Sequence, residues 1–279
     1  MQTKHTIIIR VLGGLGNQLF IYAFARYLTL VLHSSVLLEV RTGFIKDRHK
    51  RKYRLNKFNI QLKTCPWYFS LYYPLRKRFV TITKLFFGNA TFINEIEFYA
   101  NPELAFRKMQ KSKKTYLDGY WQDSNYFADY EGIIKKELSL KIKMNYQNQQ
   151  MANIMSLCNS IAIHLRRVKY NSLLKLDYYI NAVHQIKTLI KDPVFYVFSD
   201  DIKWCRQNFN IDGSFTFVDQ NINDEIAEIW LMSQCKHFII ANSTYSWWGA
   251  WLSSNESKIV IAPKNGQNNY YPKDWFVID

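Results

Sequence analysis

The feature that most constrains the fold is a strand, a glycine turn and a helix at the start of the chain, followed by a second strand. A β-branched run over residues 6–12 stops at Gly13-Gly14, helical spacing follows over residues 17–32, and residues 35–40 form another apolar run. Apolar runs that alternate with helices indicate parallel strands joined by crossover helices. The opening of the chain therefore predicts a parallel α/β sheet.

The same alternation restarts in the second half, after a polar segment at residues 144–150. Strand patterns occur at residues 160–165, 194–198, 215–218, 237–241 and 258–262, and helical patterns at 177–190, 223–235 and 244–253, with a short helix after Asp200. A single core rarely grows beyond about 250 residues. We expect two Rossmann-like α/β domains, residues 1–150 and 151–279, that face a ligand-binding cleft.

Charge and cysteine content narrow the functional class. The net charge of +15 lies in residues 1–150, whereas residues 151–279 are neutral. The four cysteines are scattered without a C-x-x-C pair, and no signal peptide pattern precedes the first strand. Residues 11–25 are too short and too interrupted by glycines for a membrane span. We therefore expect a cytoplasmic protein.

The glycine turn is the first candidate site. It reads Gly13, Gly14, Leu15, Gly16, Asn17 and Gln18. A dinucleotide fingerprint would need a glycine at Leu19, although Glu39 stands where a ribose-binding acid belongs, so that match is partial. A bare tight turn is the structural alternative. The adjacent amides of Asn17 and Gln18 suit sugar hydroxyls, which both donate and accept hydrogen bonds.

The strand at 160–165 carries a second candidate site, because it delivers His164 and is followed by Arg166 and Arg167. Alternation places His164 and Arg166 on one side of the strand. A guanidinium is always charged and bonds two oxygens at once, which suits a diphosphate. The alternative is a surface salt bridge beside a core histidine.

Further candidate polar residues lie on or next to three other predicted elements. Hydroxyl and amide side chains cluster at the start of the helix predicted from residue 244. A helix N-terminus favours phosphate binding, although capping explains one of the hydroxyls. The cluster consists of Asn242, Ser243, Thr244, Tyr245 and Ser246. Glu228 borders an apolar stripe and would accept hydrogen bonds from guanine, or else be a solvated acid. Asp200 and Asp201 follow a strand and are partly explained as helix caps. Trp247, Trp248 and Trp251 are typical of core.

Five motifs in series resemble the α-1,2-fucosyltransferases of glycosyltransferase family 11. They are residues 13–18 (GGLGNQ), 118–122 (DGYWQ), 164–167 (HLRR), 198–201 (FSDD) and 242–251 (NSTYSWWGAW). The resemblance implies a GT-B type fold and inverting transfer of fucose from GDP-fucose to a galactose 2-hydroxyl. It also implies no metal and no cofactor, and no D-x-D sequence, the usual ligand pair for a diphosphate-bound metal, occurs in the chain.

The resemblance also implies roles for the candidate residues. Arg166 would hold the diphosphate, His164 and Glu228 would contact guanine, and Ser243 to Ser246 would line the phosphates, all on a donor-binding domain at 151–279. Further candidate donor-binding residues of that domain are Arg167, Asp200, Asp201 and Asn242. Gly14 to Gln18 would face the acceptor from the domain at 1–150. Fixed positive charge at the departing diphosphate lowers the barrier most, because negative charge accumulates there.

The chain departs from the family pattern at Val168-Lys169, where Gly-Asp is usual after His-x-Arg-Arg. An amine replaces a carboxylate, so the acceptor needs another base or differs in kind. Asp118 and Asp123 are the alternatives. The candidate catalytic residues are Arg166, His164 and Asp118.

The basic half suggests partners. Its clustered cations would contact an anionic membrane surface or a lipid-diphosphate-linked glycan. The alternative is that they belong to solvated loops. These cations are Lys46, Arg48, Lys50, Arg51, Lys52, Arg54, Arg76, Lys77 and Arg78. Competing functions are a dinucleotide-binding oxidoreductase and a GDP-fucose-binding homologue with changed acceptor or lost activity. No nucleic-acid-binding motif accompanies the charge, so no nucleic acid is expected.

Overall fold

The protein forms two compact α/β units in a computed structural model that describes residues 5–75, 87–88, 90–168, 174–264 and 270–279. The units divide after Lys141. This division precedes the predicted boundary at residue 150, because the polar segment begins a helix of the second unit, Tyr146–Ser156. Most of its polar residues lie on the exposed face of that helix, whereas Asn148 is buried. The Asn145 side chain caps the helix by accepting from the Asn148 N–H.

The first unit is built on a five-stranded parallel sheet with the strand order β3-β2-β1-β5-β4. Its strands are β1 Thr6–Arg10, β2 Ser35–Glu39, β3 Lys63–Thr64, β4 Thr91–Asn94 and β5 Lys114–Asp118. Its helices are α1 Leu15–Leu32, α2 Trp67–Ser70, α3 Tyr72–Leu75, α4 Glu95–Ala100, α5 Pro102–Lys111 and α6 Glu131–Glu137. Ile8 in β1 lies opposite Leu37 in β2 and Tyr116 in β5, which fixes the register.

Helix α1 is the core helix of the first unit. Among the described residues it is the one helix long and apolar enough for a membrane span by length and composition, with a mean hydropathy of 1.2. The structure buries 61% of that window inside the protein. Phe20 and Phe24 are fully buried, and the Phe24 ring lies parallel to that of Trp121 at 4.5 Å between centroids. Its apolar character is therefore used in protein packing.

The second unit contains a six-stranded parallel sheet with the strand order β11-β10-β9-β6-β7-β8. Its strands are β6 Asn159–Leu165, β7 Pro193–Ser199, β8 Phe215–Phe217, β9 His237–Ile239, β10 Val260–Pro263 and β11 Phe276–Ile278. Its helices are α7 Tyr146–Ser156, α8 Leu176–Leu189, α9 Ile202–Asn208, α10 Glu225–Ser233 and α11 Thr244–Trp251. Trp247 and Trp248 are fully buried, which confirms their prediction as core.

Most predicted elements are confirmed within a few residues, and the exceptions are short or irregular. Two 3-10 turns, Ser124–Tyr126 and Ala128–Tyr130, precede α6. The basic segment, residues 46–57, holds a 3-10 turn at Leu55–Lys57. Strands of two to four residues, such as β3 and β4, have too few alternating positions to produce a periodic signal. All four cysteines are free thiols.

Candidate active site

The second sheet brings the candidate donor residues together. Strands β9, β6 and β7 are neighbours in that sheet, and all three run parallel. The carboxyl ends of parallel strands meet at one edge, where open α/β sheets bind ligands. The segments that begin at Arg166, Asp200 and Asn242 therefore lie along the same edge.

His164 is a buried, neutral histidine at this edge. Its side chain is 1% exposed, and its Nδ1 has no hydrogen-bond partner among the described residues. Burial, together with the charge of Arg166, lowers the pKa of His164 to about 3. Its ring lies 5.7 Å from that of Tyr245. Because buried polar atoms normally have partners, the unpartnered Nδ1 marks a position where a ligand atom fits.

Asp200 positions the arginine at this edge. Its Oδ2 lies 3.2 Å from Arg166 Nε, its Oδ1 accepts the Arg167 N–H at 2.7 Å, and its Oδ2 accepts the Val168 N–H at 3.2 Å. One carboxylate thus orients both the guanidinium and the turn after β6. The sequence-based role of Asp200 is donor contact; in the structure its oxygens are directed at the protein.

The side chains of Arg167 and Asp201 both contact Trp204 of helix α9. The Arg167 guanidinium carbon lies 3.6 Å from the centre of the Trp204 ring, and Asp201 caps the helix by accepting the Trp204 N–H at 3.1 Å. A stacked guanidinium is held by cation–π attraction and by contact area. These contacts anchor α9 beside the turn.

Glu228 and Tyr245 form a second pair at the same edge. The Tyr245 hydroxyl lies 2.9 Å from Glu228 Oε2 and 2.8 Å from the Glu225 carbonyl oxygen. Burial raises the pKa of Glu228 to about 7, against the opposing effects of the Tyr245 hydrogen bond and the Arg166 charge. Glu228 is therefore a carboxyl that ionises near neutral pH, which is typical of functional sites.

The start of α11 divides into buried and accessible groups. Ser243 caps the helix by accepting the Tyr245 N–H at 3.3 Å. Ser246 is fully buried, with its hydroxyl 3.2 Å from the Ser243 carbonyl oxygen, so in this structure it does not reach the surface. Asn242 is exposed and Thr244 partly so. Among these groups, Asn242 and Thr244 are the ones that solvent reaches.

The first sheet has its own polar edge, because β2, β1 and β5 are neighbours. Arg10 and Asp118 end β1 and β5, and an Arg10 Nη1 lies 3.3 Å from each Asp118 oxygen. Arg10 Nε also donates to Thr42 Oγ1 at 3.0 Å. Glu39 is fully buried and accepts the Arg41 N–H at 2.8 Å and hydrogen bonds from Thr42. Its carboxylate is therefore used to shape a loop, which removes the ribose ligand of the oxidoreductase alternative.

The glycine turn adjoins this edge. Gln18 is fully buried, in contrast to its expected exposure, because it donates to the Gly13 and Lys52 carbonyls at 2.9 Å and accepts the Arg54 N–H at 2.8 Å. It thereby ties the basic segment to the turn. Asn17 stays partly exposed, and its Oδ1 accepts from Gln122 Nε2 at 3.1 Å. Gly14 is also partly exposed, whereas Gly16 is buried in α1.

Glu95 is a site residue that the sequence patterns above do not single out. Its two carboxylate oxygens accept the N–H groups of Tyr120 and Trp121 at 2.8 and 2.6 Å. The signal that points to it is the Asn94-Glu95 pair at a helix start, where Asn94 caps α4.

Four of the residues named in the sequence analysis lie outside the described ranges: Lys169, Arg76, Lys77 and Arg78. Within the described ranges no three His, Cys, Asp or Glu side chains converge as a metal site would require.

The two parallel α/β units have the GT-B type fold. The α-1,6-fucosyltransferase NodZ from Bradyrhizobium, in a structure soaked with GDP-fucose, superposes with a TM-score of 0.55 at 13% identity, covering 89% of this chain and 92% of NodZ. Arabidopsis thaliana FUT1, in a mutant complex with GDP, superposes with a TM-score of 0.57 at 10% identity, covering 96% and 72%. These likenesses show the fold.

The chain belongs to glycosyl transferase family 11, whose sequence profile matches residues 6–278. An alpha-1,2-colitosyltransferase of Escherichia coli is 30% identical over 92% of this chain and 91% of its own. The O-antigen biosynthesis glycosyltransferase WbnK of E. coli is 31% identical over 90% and 92%. Membership confirms the predicted family and excludes the oxidoreductase alternative.

Proposed function

We propose that this protein transfers L-fucose from GDP-fucose to the 2-hydroxyl of a galactose in a glycan acceptor, with inversion and without a metal. The second unit would hold the donor and the first unit the acceptor. The observation that carries the proposal is the cluster of His164, Arg166 and Glu228 at one edge of the second sheet.

The chemistry of the three groups supports a guanosine diphosphate donor. An ionised Glu228 accepts hydrogen bonds from guanine N1–H and the exocyclic amine, and neutral His164 offers Nδ1 to a further base or ribose atom. Arg166 bonds the diphosphate. As the sugar–oxygen bond breaks, negative charge grows on the departing GDP, and a guanidinium already held by Asp200 stabilises it without reorganisation.

On the acceptor side, Asp118 is the candidate for receiving the proton of the attacking hydroxyl. Its side chain is 24% exposed, and the paired Arg10 guanidinium fixes its orientation. General bases must lie within hydrogen-bond reach of the proton that they remove. Asp118→Asn would then lower kcat strongly while leaving the affinity for GDP unchanged.

The reaction is tested with purified protein, GDP-fucose and lactose in the presence of EDTA, by following GDP release and the linkage of the product by NMR. GDP-fucose is β-linked, so an α-1,2 product records inversion. GDP-colitose serves as the second donor, because one E. coli relative is named for colitose transfer. If the protein transfers sugar from GDP-colitose but not from GDP-fucose, colitose replaces fucose in the proposal. If transfer occurs only after a metal ion is added back, the reaction depends on a metal.

The raised pKa of Glu228 predicts that donor binding depends on pH. With a pKa of about 7, its ionised fraction rises between pH 6 and pH 8. Only the carboxylate accepts both guanine donors, so the affinity for GDP should increase over this interval by up to about tenfold. His164 stays neutral throughout, since burial lowers its pKa to about 3.

Calorimetric titration of GDP at several pH values measures this dependence. Titration of the GDP phosphate is the same for every variant, so the comparison with Glu228→Gln isolates Glu228. A pH slope equal in wild type and Glu228→Gln would contradict the assignment.

The basic segment supports a phosphate-bearing surface as partner, either an anionic cytoplasmic membrane or a lipid-diphosphate-linked acceptor. Lys46, Lys50 and Lys52 are exposed, and Gln18 ties this segment to the glycine turn. Cations next to a membrane each contribute about 1 kcal/mol of binding to anionic lipid. The proposal places the protein in the cytoplasm.

Vesicle flotation measures this contact. Phosphatidylglycerol vesicles should bind the protein at low salt and release it at high salt, whereas phosphatidylcholine vesicles should not bind. Reversal of Lys46, Lys50 and Lys52 to glutamate should abolish flotation. The matched reversal of exposed Lys191, Lys203 and Lys273 in the second unit should leave flotation largely intact. An equal loss of flotation in both variants would indicate that membrane binding depends on the net charge of the protein and not on this segment.

A further inference from the structure

We infer that Trp67, Tyr68 and Leu71 form an apolar patch that inserts into the headgroup region of an anionic lipid bilayer. The inference rests on the proposed membrane contact and names the residues that enter the lipid. These residues are 64%, 48% and 42% exposed. The side chain makes up most of the surface of each residue type, so fractions of this size require exposed side chains. Tryptophan, tyrosine and leucine favour the boundary between lipid and water.

The opposite face of this segment is fixed to the first sheet. Tyr72 and Tyr73 are buried, and the Tyr72 ring lies nearly parallel to that of Tyr116, with 3.8 Å between centroids. The Tyr73 hydroxyl lies 3.1 Å from the Ile8 carbonyl oxygen and 2.8 Å from that of Leu117. The apolar patch cannot turn inward without breaking these contacts, so it stays on the outside of the unit.

A neighbouring loop brings cations and a further apolar residue to the patch. β2 and β3 are parallel neighbours, so the loops that follow them leave the same edge of the sheet. Arg41, in the loop after β2, donates to the Cys65 carbonyl oxygen at 3.1 Å, two residues before Trp67. The turn that Arg41 begins holds Ile45, which is 73% exposed, and the exposed Lys46. The patch and the start of the basic segment are therefore adjacent.

Charge identifies an anionic lipid surface as the partner of this patch. Residues 40–75 hold nine lysines and arginines and a single carboxylate, that of Asp47, which pairs with Arg51 at 3.6 Å. Anionic headgroups attract the cations, and the boundary of the acyl chains takes up the apolar side chains. An apolar surface within a cationic segment of the chain is complementary to both layers.

Two other exposed apolar sites differ from this one in charge. Ile96 stands between two glutamates, which anionic headgroups would repel. Residues 144–160 include the exposed Ile154 and Leu157 but hold no charged side chain. Exposure of apolar residues alone therefore does not define the lipid contact, and the second of these sites offers a matched control.

Insertion of the patch would hold the proposed acceptor edge at the membrane. β3, β2, β1 and β5 are parallel and adjacent in that order, so the patch and Asp118 follow the same edge of the first sheet. A glycan carried on a lipid would then be kept near that edge by its own anchor. Confinement of this kind raises the effective concentration of an acceptor without any new contact to the sugar.

The first test measures binding to phosphatidylglycerol vesicles at low salt. For Trp67→Ser combined with Leu71→Ser we expect the partition coefficient to fall at least about tenfold, because two large apolar side chains no longer leave water. Ile154→Ser combined with Leu157→Ser is the matched control and should stay within about twofold. Circular dichroism and thermal unfolding verify the fold of both double variants. An equal fall in both, or no fall in the first, would contradict the inference.

Fluorescence quenching reports the insertion itself. Phosphatidylglycerol vesicles with brominated acyl chains should quench part of the wild-type tryptophan emission, because bromine quenches an indole only at close approach. Trp67→Phe keeps an apolar aromatic side chain, so it should still float with the vesicles. The same variant should lose most of the quenching, which assigns that signal to Trp67.

The outcomes separate this inference from the proposed function. If wild type floats without quenching, or Trp67→Phe is quenched equally, the basic segment binds the membrane and insertion of the patch is wrong. If wild type does not float, membrane contact and insertion are both wrong, and transfer to lactose still tests the reaction in solution. If quenching depends on Trp67 but no sugar is transferred, insertion stands and the reaction is wrong.

A contact between two copies of the chain is the remaining occupant that the test decides. Sedimentation without lipid measures the oligomeric state of wild type and of the Trp67→Ser, Leu71→Ser double variant. If the double variant converts a dimer to a monomer and floats as wild type does, the patch joins copies of the chain and the inference is wrong. We expect the same oligomeric state for both proteins.

Discussion

Replacement of Arg166 by alanine should lower the kcat/KM for GDP-fucose by about 10² to 10³, the range measured when one preorganised donor to a developing anion is removed. Arg166 lies at the edge that gathers His164 and Glu228, and Asp200 holds its Nε. A water molecule that replaces the guanidinium must reorganise as charge develops. Arg166→Lys should recover only part of the loss, because an ammonium is a point charge without a planar fork.

The measurement is GDP release under saturating lactose, with circular dichroism and thermal unfolding to verify the fold. Asp200 keeps its two main-chain donors in the variant, so unfolding is not expected. Arg206→Ala is the matched control, since that arginine forms a half-exposed ion pair with Asp219 at 2.6 Å in the same unit. Arg166→Ala activity within threefold of wild type would show that the diphosphate is held elsewhere.

Removal of Arg26 should destabilise the protein by about 3 to 5 kcal/mol, the cost of leaving one partner of a buried ion pair without the other. The Arg26 and Glu137 side chains are 14% and 8% exposed. Arg26 Nε and Nη2 each lie 2.8 Å from a different Glu137 oxygen, and the Tyr22 hydroxyl donates to the same carboxylate. The group joins α1 to α6 within the first unit.

Denaturant unfolding of Arg26→Ala measures this loss, and Arg107→Ala is its control. Arg107 pairs with Glu103 at 2.6 Å, but both side chains are more than two-thirds exposed, so its loss should cost under about 1 kcal/mol. The double variant Arg26→Met with Glu137→Leu should recover most of the stability, because it leaves no buried charge. A cost under about 1 kcal/mol for Arg26→Ala would show that water reaches Glu137.

Local sequence patterns were enough to predict the α/β class, most strand and helix positions and the residues that follow each strand. Periodicity and glycine or capping signals act over a few residues, so they are visible along the chain. For this reason the patterns alone place His164 and Arg166 at a strand end, and the polar residues from Asn242 onward at a helix start. The family resemblance depended on the same local motifs.

Tertiary packing determined which of these residues act together and which serve the protein itself. Strand order is a non-local choice, and it makes β9, β6 and β7 neighbours. The same holds for polar partners distant in sequence, such as Glu95 with Tyr120 or Gln18 with Arg54. Buried polar groups must find partners wherever the packed chain supplies them. Local pattern therefore predicts where a polar side chain stands, and packing decides whether a ligand can reach it.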